Sequence, residues 1–358
     1  MKVALMHEGH CRPGQPVAER YREMVREAVF AEEMGFDIYG GGEQHFGQGL
    51  ATVSSPEILH THVAARTSRI RLRSMSTNLL SFNHPVRIAE QFAMLDILSD
   101  GRAELGGARS NNPGTLGAFG ISPDDTRLHR NESLQVLARA LTSETFEFHG
   151  ELYDLPERRL MPPPQTRPAP LVYMSATGVE SHAFAGANGM PVMTGNTILG
   201  WEKTQASIDA YKRALENAVP LFGRVTDSLG MFSTAVCCAV TKDAAKEAAG
   251  PIAAAWMQTV SKIYAHLSEA SEDYAYLGQF KQIMNRVDDL DYLIDCSPYI
   301  TMGTPDDLIE RAAKLAAMGV SEVLWRIDGM GHEEHMRTIE MIGRHVLPAV
   351  HEMTPVSR

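Results

Sequence analysis

Glu43, Gln44 and His45 stand side by side in the stretch GGGEQHFGQG (40–49), a carboxylate, an amide and an imidazole set among glycines. A carboxylate next to an imidazole can hold and pass a proton near neutral pH, because the ordinary histidine pKa is about 6.5. The amide of Gln44 can orient a ring or a water but cannot take that proton. His45 is therefore the candidate general acid or base, and Glu43 either orients it or shares in the chemistry. The glycines leave room for backbone and a bound group to approach closely. The residues just before, GFDIY, read as a buried strand, so this polar group sits at a strand end.

A second junction carries different chemistry. In SATGVES (175–181), Ala176, Thr177 and Gly178 stand where a strand gives way to a helix. Backbone N–H groups and the dipole at a helix start favour an anion, typically a phosphate. Thr177 and Ser181 add hydroxyl donors, and Arg109 in GGARS (106–110) can make a charge-assisted contact to the same group. The plainer role for Thr177 is an N-cap. Other apparent strands also end in polar residues: His7-Glu8, Thr77-Asn78 with His84 close behind, and Arg326 with Asp328. Together these ends read as the walls of one site.

Metal ligation is the weaker reading. His60 and His62 form an H-x-H pair, but within a helix residues two apart do not face each other. His7 with His10 and His332 with His335 are suggestive spacings without the carboxylate set of a metallohydrolase, so no metal is expected.

The elements that must position these residues alternate. Strand-like runs at 2–6, 36–40, 70–80, 102–110, 171–176, 190–194, 231–240 and 320–328 are separated by amphipathic segments at helical spacing. Such alternation argues for a parallel sheet, and eight units point to a (β/α)8 barrel, an architecture of about 250 residues. The 358-residue chain then carries insertions, placed at about 143–170 and 256–303 of a single barrel domain. A doubly wound sheet needs a glycine-rich turn after its first strand; HEGHCRPG does not supply one.

Composition narrows the class. Hydrophobic residues make up 44% and charged residues 22%, and the net charge of −11 gives no basic footprint for nucleic acid or anionic lipid. No apolar run reaches the ~18 residues of a membrane span, and MKVALMHEGH is too short in apolar residues for a signal peptide. A cytoplasmic protein is expected, its four cysteines buried free thiols, with Cys237 and Cys238 on opposite faces of a strand.

Four stretches, AEEMGFDIYGGGEQHFG (31–47), STNLLSFNHPVRIAEQFAMLDILSDGRAELGGARS (76–110), GELYDLPERRLMPPPQTRPAP (150–170) and GTPDDLIERAAKLAAMGVSEVLW (303–325), resemble the bacterial luciferase-like flavin monooxygenases. The resemblance implies a (β/α)8 barrel, usually dimeric. It implies reduced FMN delivered by a separate NAD(P)H:flavin reductase, and O2 as co-substrate, with a C4a-peroxyflavin inserting oxygen into a small organic molecule. By position it places Thr177, Gly178, Ser181 and Arg109 at the FMN phosphate, with Ala176 beside them. Ala108 falls near the flavin, and Met75, Ser76, Thr77 and Asn78 fall on the strand along the isoalloxazine ring. His45 matches a histidine of the family's Glu-His-His-Phe stretch, where this chain departs by carrying Gln44.

The 256–303 stretch falls where the family carries a mobile segment, so Tyr264, Tyr274, Tyr276 and Phe280 are candidate lid residues. A packed helical excursion is the alternative for the same residues. Met190, Met193, Met231 and Met257 read as core filler. The substrate is expected to be largely apolar or aromatic, with Arg326 as the one candidate clamp for charge. An F420-dependent hydride-transfer enzyme of the same fold, and a non-catalytic flavin-binding protein, are the alternatives.

Overall fold

The apolar run KVALM forms the first strand, β1 (Lys2–Met6), buried from its second residue onward. In this computed structural model, which describes residues 1–47, 49–195, 200–282 and 284–356, with the backbone alone at 279–282 and 284, the chain alternates as its periodicity predicts. After β1 come α1 (Val17–Met34), β2 (Ile38–Gly42), α2 (Pro56–Ala64), β3 (Arg71–Asn78), α3 (Pro85–Leu98) and β4 (Ala103–Ala108). Then follow α4 (Pro113–Ala118), α5 (Thr126–Thr142), a hairpin of β5 (Phe146–His149) and β6 (Asp154–Arg158), and β7 (Leu171–Ala176). The second half contains α6 (Val179–Ala187), β8 (Val192–Thr194), α7 (Trp201–Leu215), β9 (Leu229–Cys238) and α8 (Lys242–Ala270). It ends with α9 (Leu290–Cys296), β10 (Ile300–Gly303), α10 (Pro305–Ala317), β11 (Glu322–Arg326), α11 (His332–His345) and α12 (Leu347–Glu352).

Eight of these strands close a parallel barrel in the order β1-β2-β3-β4-β7-β8-β9-β11, sealed by β1 on β11 (Lys2 opposite Glu322) and β8 on β9 (Val192 opposite Leu229). They are the eight strands expected from sequence. β10 pairs with β9 as an added strand outside that ring. Between 143 and 170, where an insertion was expected, the chain forms the antiparallel β5–β6 hairpin. The alanine-rich helix α8 runs through 256 to Ala270 and tolerates Pro251 within it.

Local chemistry sets the boundaries. Pro85 opens α3 at its first turn and His84 accepts a hydrogen bond from the Val86 N–H. Thr304 and Asp307 cap α10 reciprocally. Gly35 stops α1 at φ 94°, a conformation that suits glycine. The main apolar core lies between strands and helices, while Ala4, Met6, Ile38, Met75, Tyr173, Met193 and Leu324 fill the barrel interior.

The inside of the barrel is not wholly apolar. Buried Arg73 donates to Glu104 (2.7 Å) and to Glu322 (2.5 Å), and Tyr173 donates to Glu322 at 2.9 Å. A pair so buried holds only because each charge is met by several partners. Among the described residues no helix is long and apolar enough to cross a membrane. All four cysteines are free, with Cys237 and Cys238 buried and Cys11 and Cys296 partly so.

Candidate active site

The carboxyl ends of the strands open into a cavity of about 510 Å³. Of the residues expected at a site, Glu43, Gln44, Met75, Ser76, Asn78 and Ala108 line it, and so do Arg109, Ala176, Thr177, Gly178 and Ser181. His45 and Thr77 do not. Thr77 turns its hydroxyl to Ser74 Oγ at 2.6 Å, because alternate residues of a strand face opposite sides.

Irregularities in the ladder shape this mouth. The β2–β3 register shifts between Gly41 and Gly42, and the β3–β4 register between Ser74 and Thr77. Shifts of this kind re-aim side chains at a barrel rim. Ser175 Oγ donates to the Met75 carbonyl oxygen at 2.7 Å, pinning the irregular part of β3 to β7. The glycines before Glu43 serve packing first. A Cβ on Gly41 would stand 2.8 Å from the His7 carbonyl oxygen, and one on Gly42 would stand 2.6 Å from Ser76 Oγ. Their absence of side chain lets β1, β2 and β3 converge; room for a bound group is secondary.

Glu43 is the hub of the β2 end. Its carboxylate accepts from the Asn78 backbone N–H at 2.8 Å, from Asn83 Nδ2 at 2.9 Å to both oxygens, and from His45 Nε2 at 2.8 Å. His45 stands behind this carboxylate, its ring among Phe46, Phe82 and Phe119 with centroids 5.1 to 6.1 Å away. Phe46 itself adopts φ 58°, a costly conformation for a bulky residue. The imidazole thus reaches the cavity through Glu43 rather than directly.

On the far side of the barrel, α6 begins immediately after Gly178. Ser181 Oγ accepts from the N–H groups of Thr177 and Gly178 at 3.2 Å each, fixing this turn. His182 is fully buried and ties α6 to β8: its Nδ1 donates to the Gly178 carbonyl oxygen at 2.8 Å and its Nε2 accepts from Thr194 Oγ1 at 2.9 Å. Burial pushes the ring down to about 4, so it is neutral.

Three guanidiniums converge on this corner: Arg109 from the β4 end, and Arg127 and Arg130 from α5. Burial, and then the positive charges of Arg109 and Arg127, bring Arg130 down to about 10. Arg127 and Arg130 were not singled out from sequence. Their three-residue spacing in TRLHR puts them on one helix face, a signal that says nothing of what the face meets.

The end of α8 and the segment after it cover this corner. Asp273 Oδ2 accepts from Arg127 Nε at 2.6 Å and from Arg109 at 3.2 Å. Tyr276 meets the Thr177 hydroxyl at 2.5 Å, Tyr274 donates to the Ser110 carbonyl oxygen at 2.9 Å, and Tyr264 accepts from Asn111 at 2.6 Å. All three tyrosines line the cavity. The Phe280 side chain lies outside the described residues.

At the β1 end, buried Glu8 lines the cavity and Gln44 Nε2 donates to its Oε1 at 3.2 Å. Burial raises the Glu8 carboxyl, opposed by the nearby Arg326. Arg326 does not line the cavity. Its guanidinium lies 4.0 Å over the Trp256 ring and 3.4 Å from Glu8. Beneath, burial would raise Asp328, but Arg20 and Arg326 hold it well below the usual carboxylate range. Of the histidine pairs, one separates and another converges. His60 is fully buried on α2 while His62 is exposed, and His332 and His335 both turn to Glu27, which Arg20 also bonds.

Residues 1–322 match the family described as luciferase-like monooxygenase. The chain spans a little over half the length of 4-hydroxyprotoasukamycin monooxygenase of Streptomyces nodosus subsp. asukaensis, with 30% identity over 56% of this chain and 58% of that one. Among solved structures, it is similar to the oxygenating constituent of 3,6-diketocamphane monooxygenase of Pseudomonas putida, a type II Baeyer–Villiger monooxygenase in complex with FMN. That likeness has a TM-score of 0.79 and 20% identity, covering 100% of both chains. It is also similar to an F420-dependent secondary alcohol dehydrogenase, with a TM-score of 0.74 and 16% identity over 98% of both chains. At these identities the two structures establish a shared fold.

Proposed function

The chain belongs to the luciferase-like monooxygenase family, and from that premise we propose that it is the oxygenase of a two-component system. It takes reduced FMN from a separate NAD(P)H:flavin reductase and uses O2 to oxygenate a small apolar or aromatic molecule. The observation that carries this reading is the corner where Arg109, Arg127 and Arg130 meet Thr177, Ser181 and the start of α6 at the edge of a largely apolar cavity. Three guanidiniums with two hydroxyls fit a phosphate dianion, and the adjoining cavity suits a flat ring system.

Reduced FMN, when bound, supplies the electrons that activate O2. The rest falls to the chain's own residues. Arg109, with Arg127 and Arg130, would hold the phosphate. Met75, Ser76, Ala108 and Ala176, which line the cavity, would pack against the flavin. Asn78 and Gln44 would offer it amides from the cavity wall. Glu43 holds the His45 ring, and the pair keeps a proton at Nε2 within reach of the cavity. Tyr264, Tyr274 and Tyr276 close the mouth and keep water out, which protects a reactive centre from hydrolysis.

A homodimer is part of the proposal, supported by exposed Ile58 on α2 and Met94 and Leu98 on the adjoining α3. The free thiols fit a reducing cytoplasm.

Anaerobic titration with reduced FMN and, separately, reduced F420 tests the cofactor. Tight FMN binding, followed on mixing with O2 by flavin oxidation coupled to substrate oxygenation, is the expected result. Binding of F420 alone would replace this reading with hydride transfer, the alternative that the F420-dependent structural neighbour supports. Binding without any turnover would leave a flavin carrier.

A further inference from the structure

Helix α8 presents one face to the cavity. Trp256, Val260, Ile263 and Tyr264 all line it, at spacings that share a helix face. Trp256 is held at two points. Its indole Nε1 donates to the Tyr299 hydroxyl at 2.9 Å. The Arg326 guanidinium lies over the ring, 4.0 Å from its centroid. Arg326 is itself buried at the end of β11 and fixed in place. Its terminal nitrogens donate to Thr234 Oγ1 and the Leu50 carbonyl oxygen at 3.3 Å each.

These contacts decide what Trp256 shows to the cavity. An indole has one polar atom, a donor, and Tyr299 accepts from it. Arg326 does not line the cavity, so the ring face it covers is closed to anything that enters. What remains accessible of this partly buried side chain is carbon alone. It is an aromatic surface of fixed orientation with no hydrogen-bond demand. Tyr299 in turn packs on Phe232, with ring centroids 5.7 Å apart, and both rings line the cavity.

This wall hangs from β9, the helix that follows it and β11, whereas the anion corner lies at the ends of β4 and β7. A ring fixed before binding loses little conformational entropy when a ligand settles on it. An aromatic ligand gains from offset-stacked or edge-to-face contact beyond the area it buries. A saturated ring of the same size gains the area alone.

We propose that Trp256 is the specificity-determining residue of this cavity, and that it selects a substrate carrying an aromatic ring over one carrying a saturated ring of the same size. This rests on the reading above, in which the flavin phosphate takes the β7 corner and the Trp256 wall meets the other reactant. Arg326 acts through Trp256 by fixing its ring, which makes it a positioning residue.

The probes are 2-phenylethanol and 2-cyclohexylethanol, which differ in the ring alone. Their affinities are measured by calorimetry on the full chain, with and without oxidised FMN. Wild type is expected to bind the phenyl probe about three- to tenfold more tightly, although the saturated ring is the more hydrophobic of the two. Trp256→Leu, which keeps the wall apolar, loses that preference, and Trp256→Phe keeps part of it. Arg326→Met lowers the preference and Arg326→Lys, which retains a cation, restores part of it. Circular dichroism confirms that each variant is folded.

Equal affinities in wild type, binding of neither probe, or a preference surviving in Trp256→Leu overturns the proposal. A loss of FMN affinity in Trp256→Leu with the phenyl preference intact would give the indole to the flavin instead. A preference in Arg326→Met equal to that of wild type overturns the positioning role. Because no turnover is needed, the two readings fail separately. Phenyl preference without FMN binding removes the flavin reading and leaves the aromatic wall; FMN binding without the preference does the reverse.

Discussion

Asp273 lies across Arg109: its Oδ2 is 3.2 Å from one guanidinium nitrogen and its backbone carbonyl oxygen accepts from the other at 2.9 Å. The same carboxylate takes a hydrogen bond from Arg127 at 2.6 Å. A side-chain anion thus occupies the cations proposed to hold a flavin phosphate, and on that reading binding would release it. An occupied site lowers the apparent affinity by the fraction of time it is closed. Asp273→Ala is expected to tighten FMN binding about three- to tenfold, read by quenching of flavin fluorescence. Arg109→Met should weaken it by about tenfold or more through loss of a charge-assisted contact. Unchanged affinity in Asp273→Ala would show that the carboxylate and the phosphate do not share their cations.

The contact between His45 and Glu43 predicts coupling. Glu43 accepts four hydrogen bonds, from three different residues. In Glu43→Gln one carboxylate oxygen becomes a donor facing donors. That change is expected to cost about 1–3 kcal/mol in urea unfolding. His45→Ala removes one of those donors and a ring packed on Phe119 at 5.1 Å. If His45 works through Glu43, the double variant loses less than the two single variants added together. A coupling of about 0.5 kcal/mol or more marks the pair as one unit; strict additivity would separate them.

The interior of the barrel depends on a glycine. A Cβ on Gly106 would collide with the Ser74 carbonyl oxygen and Met193 Cε and stand 2.9 Å from the Met75 carbonyl oxygen. Backbone atoms cannot yield as a flexible side chain can. Gly106→Ala is expected to destabilise by about 2 kcal/mol or more and to spoil the floor of the cavity, seen as lost FMN affinity. Gly117, in helix α4, has nothing within 4 Å of its Cβ position. Gly117→Ala should be neutral or stabilising by about 0.5 kcal/mol, measured by the same unfolding curves.

How much of this was legible in the sequence depends on the kind of signal. The eight barrel strands were readable because each is a short apolar run bounded by turn residues. The β5–β6 hairpin was not, because FEFH alternates over only four residues and DLPER is mostly exposed. Of the site, the polar residues at strand ends were readable because chemistry in a barrel collects there. Arg127, Arg130 and Asp273 were not, because they lie on α5 and on a 3₁₀ helix (Glu272–Gln282) whose faces only tertiary packing decides. His45 was readable as a candidate proton carrier, but not its place behind Glu43. That placement depends on Phe82 and Phe119, far along the chain, which hold the ring.

His182 predicts a pH dependence of stability. Its ring is buried and pushed down to about 4, with Nδ1–H bonded to the Gly178 carbonyl oxygen and Nε2 accepting from Thr194. Unfolded, it would titrate near 6.5. The unfolded chain therefore binds a proton that the folded chain refuses. Stability rises with pH through this interval, is complete above about 6.5, and is lost as pH falls toward 4. A gap of this size corresponds to roughly 3 kcal/mol for one fully buried ring. His7, also buried and pushed down to about 4, adds to the same slope. In His182→Gln, which offers an amide to Gly178 and Thr194 without a titrating group, the fall in urea midpoint between pH 7 and pH 4.5 should be shallower than in wild type. Because His182 joins the start of α6 to β8, its protonation should also loosen the anion corner, so FMN affinity falls over the same interval in wild type and less in the variant. A variant whose urea midpoint falls as steeply as that of wild type would assign the acid sensitivity to His7 and its carboxylate neighbours instead.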